Sequence, residues 1–334
     1  MTLDAGLVLV GLGVLVWGAD LFVLGAARLA VTFEVSPVVI GAVVVGFGTG
    51  TPELLVSSSA AASGSLDMAA GNIVGSNLAN LTLVLGVAGL FGQPDTVPRI
   101  IGREAPLSLA TVALFALLLQ NGLTSGEGIL LLAAFLATVV LILRATEAPP
   151  TEAVLAVEAS AVEELIEEVA EFVEEAGETG VSETAAVSVS RAVLRTAIGL
   201  IATLIGAQLL VRGARGIATE VGLSGGFVGL TLVAIGTSLP ELVTAAQSAR
   251  RNETALLAGN VLGSNVFNST AVAGVAALIG PGALTDAGLT VVATTSMVCV
   301  AALAWLFLGQ GGRLRRSEAA ILLAIYPVTL ALTG

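Results

Sequence analysis

Displaced by 188 residues, the first half of the chain lies over the second. Gly18-Ala19 falls on Gly206-Ala207, Gly25-Ala26 on Gly213-Ala214, and the match runs without a gap to Gly86 and Gly274. Between Gly46 and Asn80, thirteen of thirty-five positions are identical in the two copies. Most of these identities are Gly, Pro, Asn, Ser, Thr or Glu, residues that a shared apolar composition would not bring together. The two halves must therefore adopt one structure and pack against each other, which narrows the possible folds more than any local propensity does.

Hydropathy says what each half contains. The 334-residue chain is 56% hydrophobic and 11% charged, with a mean hydropathy of +1.00, well outside the range of soluble domains. Apolar runs long enough to cross a hydrocarbon core of roughly 30 Å recur at approximately 3–25, 36–62, 68–91, 105–120 and 126–143, then at 192–211, 224–249, 255–279, 288–308 and 317–333. A membrane β-barrel would show alternating segments of ~10 residues instead. The expected fold is therefore an all-α polytopic membrane protein with ten transmembrane helices. Each copy holds five spans, an odd number, so the second must enter the bilayer upside down. Two inverted five-helix repeats are the plan of secondary transporters, whose sites lie near the midplane where discontinuous helices meet.

All thirteen basic residues are arginine. Arg28, Arg99, Arg103, Arg144, Arg191, Arg195, Arg250, Arg251, Arg313, Arg315 and Arg316 fall on one side of this plan, and the turns after the second, fourth and eighth spans carry none. The positive-inside rule then places both termini outside the cell membrane. Arg212 and Arg215, at the end of the sixth span, are exceptions. The first span has no basic n-region and follows Asp4, so it is expected to be a retained helix rather than a cleaved signal. The net charge of -12 is local: twelve glutamates lie between Glu147 and Glu183 with no basic residue among them, leaving thirteen acids against thirteen arginines elsewhere. The expected organisation is a first membrane repeat at 1–145, an acidic cytoplasmic linker at 146–190 and a second, inverted membrane repeat at 191–334. Within the linker, Val162, Leu165, Ile166, Val169, Phe172 and Val173 recur at helical spacing and predict an amphipathic helix.

The absence of histidine removes imidazole metal sites, histidine proton relays and serine-histidine catalysis. Cys299 is the single cysteine and has no intrachain disulfide partner. Nothing pairs a nucleophile with a base, so the chain is not expected to be an enzyme, and no TVGYG-type run marks a channel filter.

Chemistry concentrates in two paired motifs. The first half of each is GFGTGTPELL, from Gly46, and AIGTSLPELV, from Ala234. A proline within a helix removes a backbone hydrogen bond and glycines loosen the same turn, so freed carbonyls are expected here. Such groups do not face lipid. Glu53 and Glu241 add an intramembrane carboxylate to each copy, a costly feature that marks function when, as here, no arginine lies in either span. The second half is GNIVGSNLAN, Gly71–Asn80, and GNVLGSNVFN, Gly259–Asn268. Helical spacing puts Asn72, Ser76 and Asn80 on one face, and Asn260, Ser264 and Asn268 likewise; Gly71, Gly75, Gly259 and Gly263 are expected to serve close helix packing. The potential ligands are the two carboxylates, freed carbonyls, the hydroxyls of Thr49, Thr237, Ser76 and Ser264, and the asparagine amides. Every one is oxygen, which suits a hard cation, and Ca²⁺ above all takes ~6–8 oxygens in flexible geometry. Two carboxylates can be neutralised by one Ca²⁺ or by two Na⁺, the requirement for exchange.

In these motifs, GT(S)xPE and GNxxGSNxxN, the sequence resembles the calcium/cation antiporter superfamily, and within it the sodium/calcium exchanger family of prokaryotic type. The resemblance extends over nearly the whole chain. It implies that Glu53 and Glu241 bind Ca²⁺ and share in Na⁺ binding, that Thr49 and Thr237 contribute carbonyls, and that Asn80 and Asn268 lie at the centre. Ser76 and Ser264, the carbonyls of Gly46 and Ala234, and the hydroxyls of Thr49, Thr237 and Ser238 would form flanking Na⁺ sites. Two departures stand out. Gly50 occupies a place where the family commonly has serine, as Ser238 is in the second copy. Asn268 stands where potassium-dependent relatives carry aspartate, which makes K⁺ co-transport unexpected. The expected function is electrogenic Na⁺/Ca²⁺ exchange by alternating access, the alternatives being Ca²⁺/H⁺ or other cation/H⁺ exchange on the same fold, or a cation channel. The expected partners are the two transported ions and the lipid bilayer, with no cofactor and no nucleic acid.

Overall fold

In lipid, a backbone must satisfy its own hydrogen bonds, which favours helices. The computed structural model describes residues 2–32, 46–91, 100–144, 185–239, 241, 242, 245, 254–310 and 313–333, and these are helical almost throughout. In chain order, α1 is Thr2–Thr32, α2 Gly46–Ala62, α3 Leu66–Phe91, α4 residues 100–118, α5 Ser125–Arg144, α6 Ala185–Val221, α7 Gly225–Thr237, α8 residues 254–279, α9 Gly288–Gly309 and α10 Arg316–Thr333. Among the described residues, six helices are long and apolar enough to cross a membrane: α3, α4, α6, α8, α9 and α10. The protein is an all-helical, multi-pass membrane protein. The amphipathic helix expected at Val162–Val173, the opening of the second expected span and the end of the seventh lie outside the described residues.

α1 and α6 both outrun the spans expected from hydropathy, which measures only the apolar stretch. α6 starts at Ala185 and carries Arg191, Arg195, Arg212, Arg215 and Glu220 on its two ends. Arginine and glutamate are good helix formers, so the helix continues where the hydrocarbon stops. The two helices pack antiparallel through two glycine rows, Gly11, Gly18 and Gly25 on α1 and Gly199, Gly206 and Gly213 on α6. A Cβ added at Gly18 would lie 2.5 Å from the Thr203 amide nitrogen, and one at Gly206 2.4 Å from that of Leu15. The backbones are in direct contact, the arrangement small residues permit in membranes.

Four turns gather at one end of the bundle. Leu123, between α4 and α5, exchanges both backbone hydrogen bonds with Gly282, between α8 and α9. Asp67, at the start of α3, accepts from the amides of Thr285 (2.8 Å) and Asp286 (3.1 Å) and from the Thr285 hydroxyl. Ser224, ahead of α7, donates to Asp286.

Packing around α3 and α8 follows the 188-residue displacement. α10 lies against Gly86 of α3 through Leu323 and Ala319, and α5 against Gly274 of α8 through Leu132 and Gly128. Gly71 and Gly75 let α3 approach the Gly226 and Leu230 carbonyls of α7, as their spacing predicts. Gly263 departs from that expectation: it is exposed, with open space where a side chain would stand.

Five π-helical turns interrupt the α-helices among the described residues, at Asn80–Val84, Ile100–Glu104, Gly229–Val233, Asn268–Val272 and Gly288–Ala293. Those at 80 and 268, and those at 100 and 288, are again 188 apart. Threonine takes the third position in four of them. Thr82 donates to the Leu78 carbonyl, Thr231 to that of Phe227 and Thr270 to that of Val266, occupying acceptors beside the widened turn. Tyr326, the single tyrosine, reaches from α10 into the π turn of α7 and donates to the Leu230 carbonyl at 3.0 Å. Tyr326→Phe leaves that carbonyl unpaired and is expected to destabilise the protein by about 1–2 kcal/mol, read as a lower Tm by circular dichroism in detergent.

Candidate functional site

The crossing of α2, α3, α7 and α8 buries an unusual set of polar groups. Glu53 is 0% exposed and Glu241 1%, and Ser76, Asn80, Thr237, Ser238, Ser264 and Asn268 are all buried with them. Gly46 lies in α2, and Ala234 follows the π turn of α7; the Thr49 side chain lies outside the described residues.

Local structure differs between the copies. Pro52 sits inside α2, which continues to Ala62, although the sequence led us to expect a broken helix there. Pro52 has no N–H, so what it takes away is a donor for the Gly48 carbonyl four residues back, a loss that membrane helices tolerate where neighbouring groups take up the freed carbonyl. In the second copy the helix does stop at Thr237. Ser238 has φ -88° and ψ 8°, its amide bonding back to Ala234 and its carbonyl accepting from Leu242.

Hydrogen bonds tie the copies together from one side. The Ser238 hydroxyl donates to Glu53 Oε1 at 3.2 Å. Thr237 Oγ1 lies 3.2 Å from Asn72 Oδ1, to which it can donate, and 3.4 Å from the Ser76 hydroxyl. Asn72 in turn donates to Ser57 at 2.9 Å. The structure thus brings Glu53, Ser76, Thr237 and Ser238 into one cluster, and it adds Ser57, one helical turn beyond Glu53 on the same face of α2.

The other polar groups have no such partners. Glu53 Oε2, both carboxylate oxygens of Glu241, the Ser264 hydroxyl and both side-chain amide atoms of Asn80 and Asn268 are buried without a hydrogen-bond partner among the described residues. Leaving one such group unpaired costs about 1–3 kcal/mol, more when it is charged. When both are ionised, two carboxylates in one buried site also repel each other. A group of buried oxygens with surplus negative charge and few internal donors is complementary to a cation.

A family model described as sodium/calcium exchanger protein matches residues 3–144 and 191–333. The chain belongs to the sodium/calcium exchanger family. The stretch between the two matched segments is the acidic one. The chain is 37% identical over 327 residues to the CaxA protein of Alkalimonas amylolytica, assigned by name as an antiporter, covering 96% of this chain and 95% of that one. It is 28% identical over 342 residues to the sodium/calcium exchanger MaX1 of Methanosarcina acetivorans, covering 98% and 97%. Among solved structures, the sodium-calcium exchanger NCX_Mj soaked with zero Na⁺ and Ca²⁺ superposes with a TM-score of 0.62 at 30% identity, over 99% of both chains. The protein is therefore a cation/Ca²⁺ antiporter of the calcium/cation antiporter superfamily and not an enzyme.

Some groups of this exchanger escaped the sequence. Asn77 donates to the Ile73 carbonyl and to the Ser269 hydroxyl, both at 3.0 Å, and Asn265 to the Asn77 carbonyl at 3.4 Å, so a second polar contact joins α3 to α8. Its signal was present, since Asn77 and Asn265 are identical in the two copies. Ser57 was also legible, four residues after Glu53. The π turns that begin at Asn80 and Asn268 had no periodicity to reveal them.

Proposed function

We propose that the protein exchanges Na⁺ for Ca²⁺ across the cell membrane by alternating access, moving net charge and without K⁺. The observation that carries this reading is the set of buried oxygens on Glu53, Glu241, Asn80, Asn268 and Ser264 that have no hydrogen-bond partner among the described residues. Ca²⁺ bound between the two glutamates would neutralise both. Two Na⁺, each with one carboxylate and neutral oxygens from Thr49, Thr237, Ser76, Ser264, Ser238 and the carbonyls of Gly46 and Ala234, would do the same, so the loads compete; a third Na⁺ per Ca²⁺, as the family resemblance implies, would make each cycle move one net charge. Asparagine at both central positions supplies no further charge for K⁺.

In this reading the chain forms ten spans in two inverted repeats, 1–145 and 191–334, with both termini outside and the acidic linker 146–190 cytoplasmic. The antiparallel pairing of α1 with α6 and the equivalent packing at Gly86 and Gly274 support it. α1 and α6 would move as a pair against the other helices. A second reading, Ca²⁺/H⁺ exchange, is favoured by the lack of a basic partner at either glutamate among the described residues.

The test is ⁴⁵Ca²⁺ uptake into Na⁺-loaded proteoliposomes. Dilution into Na⁺-free buffer is expected to give rapid accumulation, and dilution into Na⁺-containing buffer almost none. An inside-positive potential set with K⁺ and valinomycin should speed the uptake. Equal uptake in both buffers sinks the proposal. Uptake that follows a pH gradient instead identifies the second reading, and flux that follows voltage with no counter-ion identifies a channel.

A further inference from the structure

The two carboxylates are not equivalent. Glu53 receives the Ser238 hydroxyl, whereas neither carboxylate oxygen of Glu241 has a hydrogen-bond partner among the described residues. The displacement by 188 explains the difference: the counterpart of Ser238 is Gly50, so the hydroxyl that would serve Glu241 from the opposite flank is missing. Gly50 and Glu53 are three residues apart on α2, as Ser238 and Glu241 are in the other copy, which puts each member on the face that looks into the site.

The space beside Gly50 is filled from α8. A Cβ added at Gly50 would lie 2.6 Å from Cδ1 and 2.7 Å from Cε1 of Phe267. That ring is buried and held by an edge-on contact with Phe135, centroids 5.9 Å apart at 73°. It cannot give way without losing this partner. The counterpart of Phe267 in the first copy is Ala79. One flank therefore combines a glycine with a large ring, and the other a serine with a methyl group.

We propose that the ring of Phe267, seated where a side chain at position 50 would begin, denies Na⁺ a hydroxyl ligand on the Glu241 flank and thereby sets how much Na⁺ is needed to displace Ca²⁺. The inference rests on the Na⁺/Ca²⁺ reading above. Ca²⁺ is held by both carboxylates at once, so one neutral oxygen matters little to it. Na⁺ carries half the charge and two Na⁺ must use separate flanks, so each depends on the neutral oxygens of its own side. The bare flank is the weaker, and it governs the final step of displacement.

The experiment is equilibrium binding of ⁴⁵Ca²⁺ to the purified full chain, displaced by NaCl at constant ionic strength. In the pair Gly50→Ser with Phe267→Ala, the Na⁺ midpoint is expected to fall about threefold or more, the effect of one added polar ligand. Gly50→Ala with Phe267→Ala opens the same space without a hydroxyl and should not lower it. Equal midpoints for the serine and alanine pairs overturn the inference. Ser238→Ala, which leaves the Phe267 contact intact and strips the other flank, is expected to raise the midpoint by a similar factor, and no change there overturns it as well. Calcium that Na⁺ does not displace from the wild-type chain would instead overturn the exchange reading, and this inference with it.

Discussion

Glu53→Gln and Glu241→Gln are each expected to reduce Na⁺-driven ⁴⁵Ca²⁺ uptake to the level of empty liposomes while the chain stays folded. Both carboxylates are buried, and when both are ionised their charges repel each other. The amide keeps the volume and removes one charge. Ca²⁺ would then be left with an uncompensated positive charge away from water, a penalty of several kcal/mol. At about 1.4 kcal/mol per factor of ten, Ca²⁺ affinity falls at least a hundredfold. The same substitution relieves the repulsion, so without cations Tm should stay constant or rise. A carboxylate that merely held helices together would behave in the opposite way, losing stability along with transport. Thermal unfolding in cation-free buffer beside the uptake assay separates the two outcomes, and full uptake in both variants would remove these residues from the site.

Gly18→Leu and Gly206→Leu are expected to abolish transport by a different route. The nearest atoms to a Cβ at either position are backbone atoms of the facing helix, at 2.5 and 2.4 Å. Backbone cannot rotate aside as a side chain does, so α1 and α6 must separate along much of their length. Overpacking of a fixed contact costs about 1–3 kcal/mol or more, and a Tm loss with at least a tenfold drop in uptake is expected. Gly13 gives the control. It lies on the exposed face of α1 with nothing within 4 Å of an added Cβ, so Gly13→Leu should transport normally. Equal effects at Gly13 and Gly18 would mean that hydropathy, and not the helix contact, was being disturbed.

Much of the site was legible because its residues are costly in a membrane. Glu53, Glu241 and the asparagines stand out against an apolar background, and their recurrence after 188 residues marks them as a set. The glycine rows of α1 and α6 were visible only in part, as the Gly-Ala pairs at 18 and 25, since a seven-residue spacing spans almost two turns and acquires meaning once the facing helix is known. The continuity of α2 through Pro52 runs against a rule for proline in an average helix, which takes no account of the packing that holds a buried membrane helix together. Nothing in the sequence pointed to Phe267. Its effect is exerted on Gly50 from another helix, more than two hundred positions away, and a phenylalanine in an apolar run carries no local sign of its neighbour.

The π turns at Asn80 and Asn268 bear on which changes of length the helices tolerate. Such a turn holds one residue more than the α-helical turn it replaces. Removing one residue just after either asparagine would restore regular α-helix with every backbone bond intact and composition barely altered. The extra residue is absorbed within the widened turn, so the helix on either side keeps nearly the same phase, whereas a residue lost from the regular α-helix nearby would rotate everything beyond it by about 100°. In each copy, then, the chain carries one residue more than its helix needs at the middle of its membrane path. A deletion at that point changes the shape of one turn beside the asparagine and leaves the packing of the distant turns as it was.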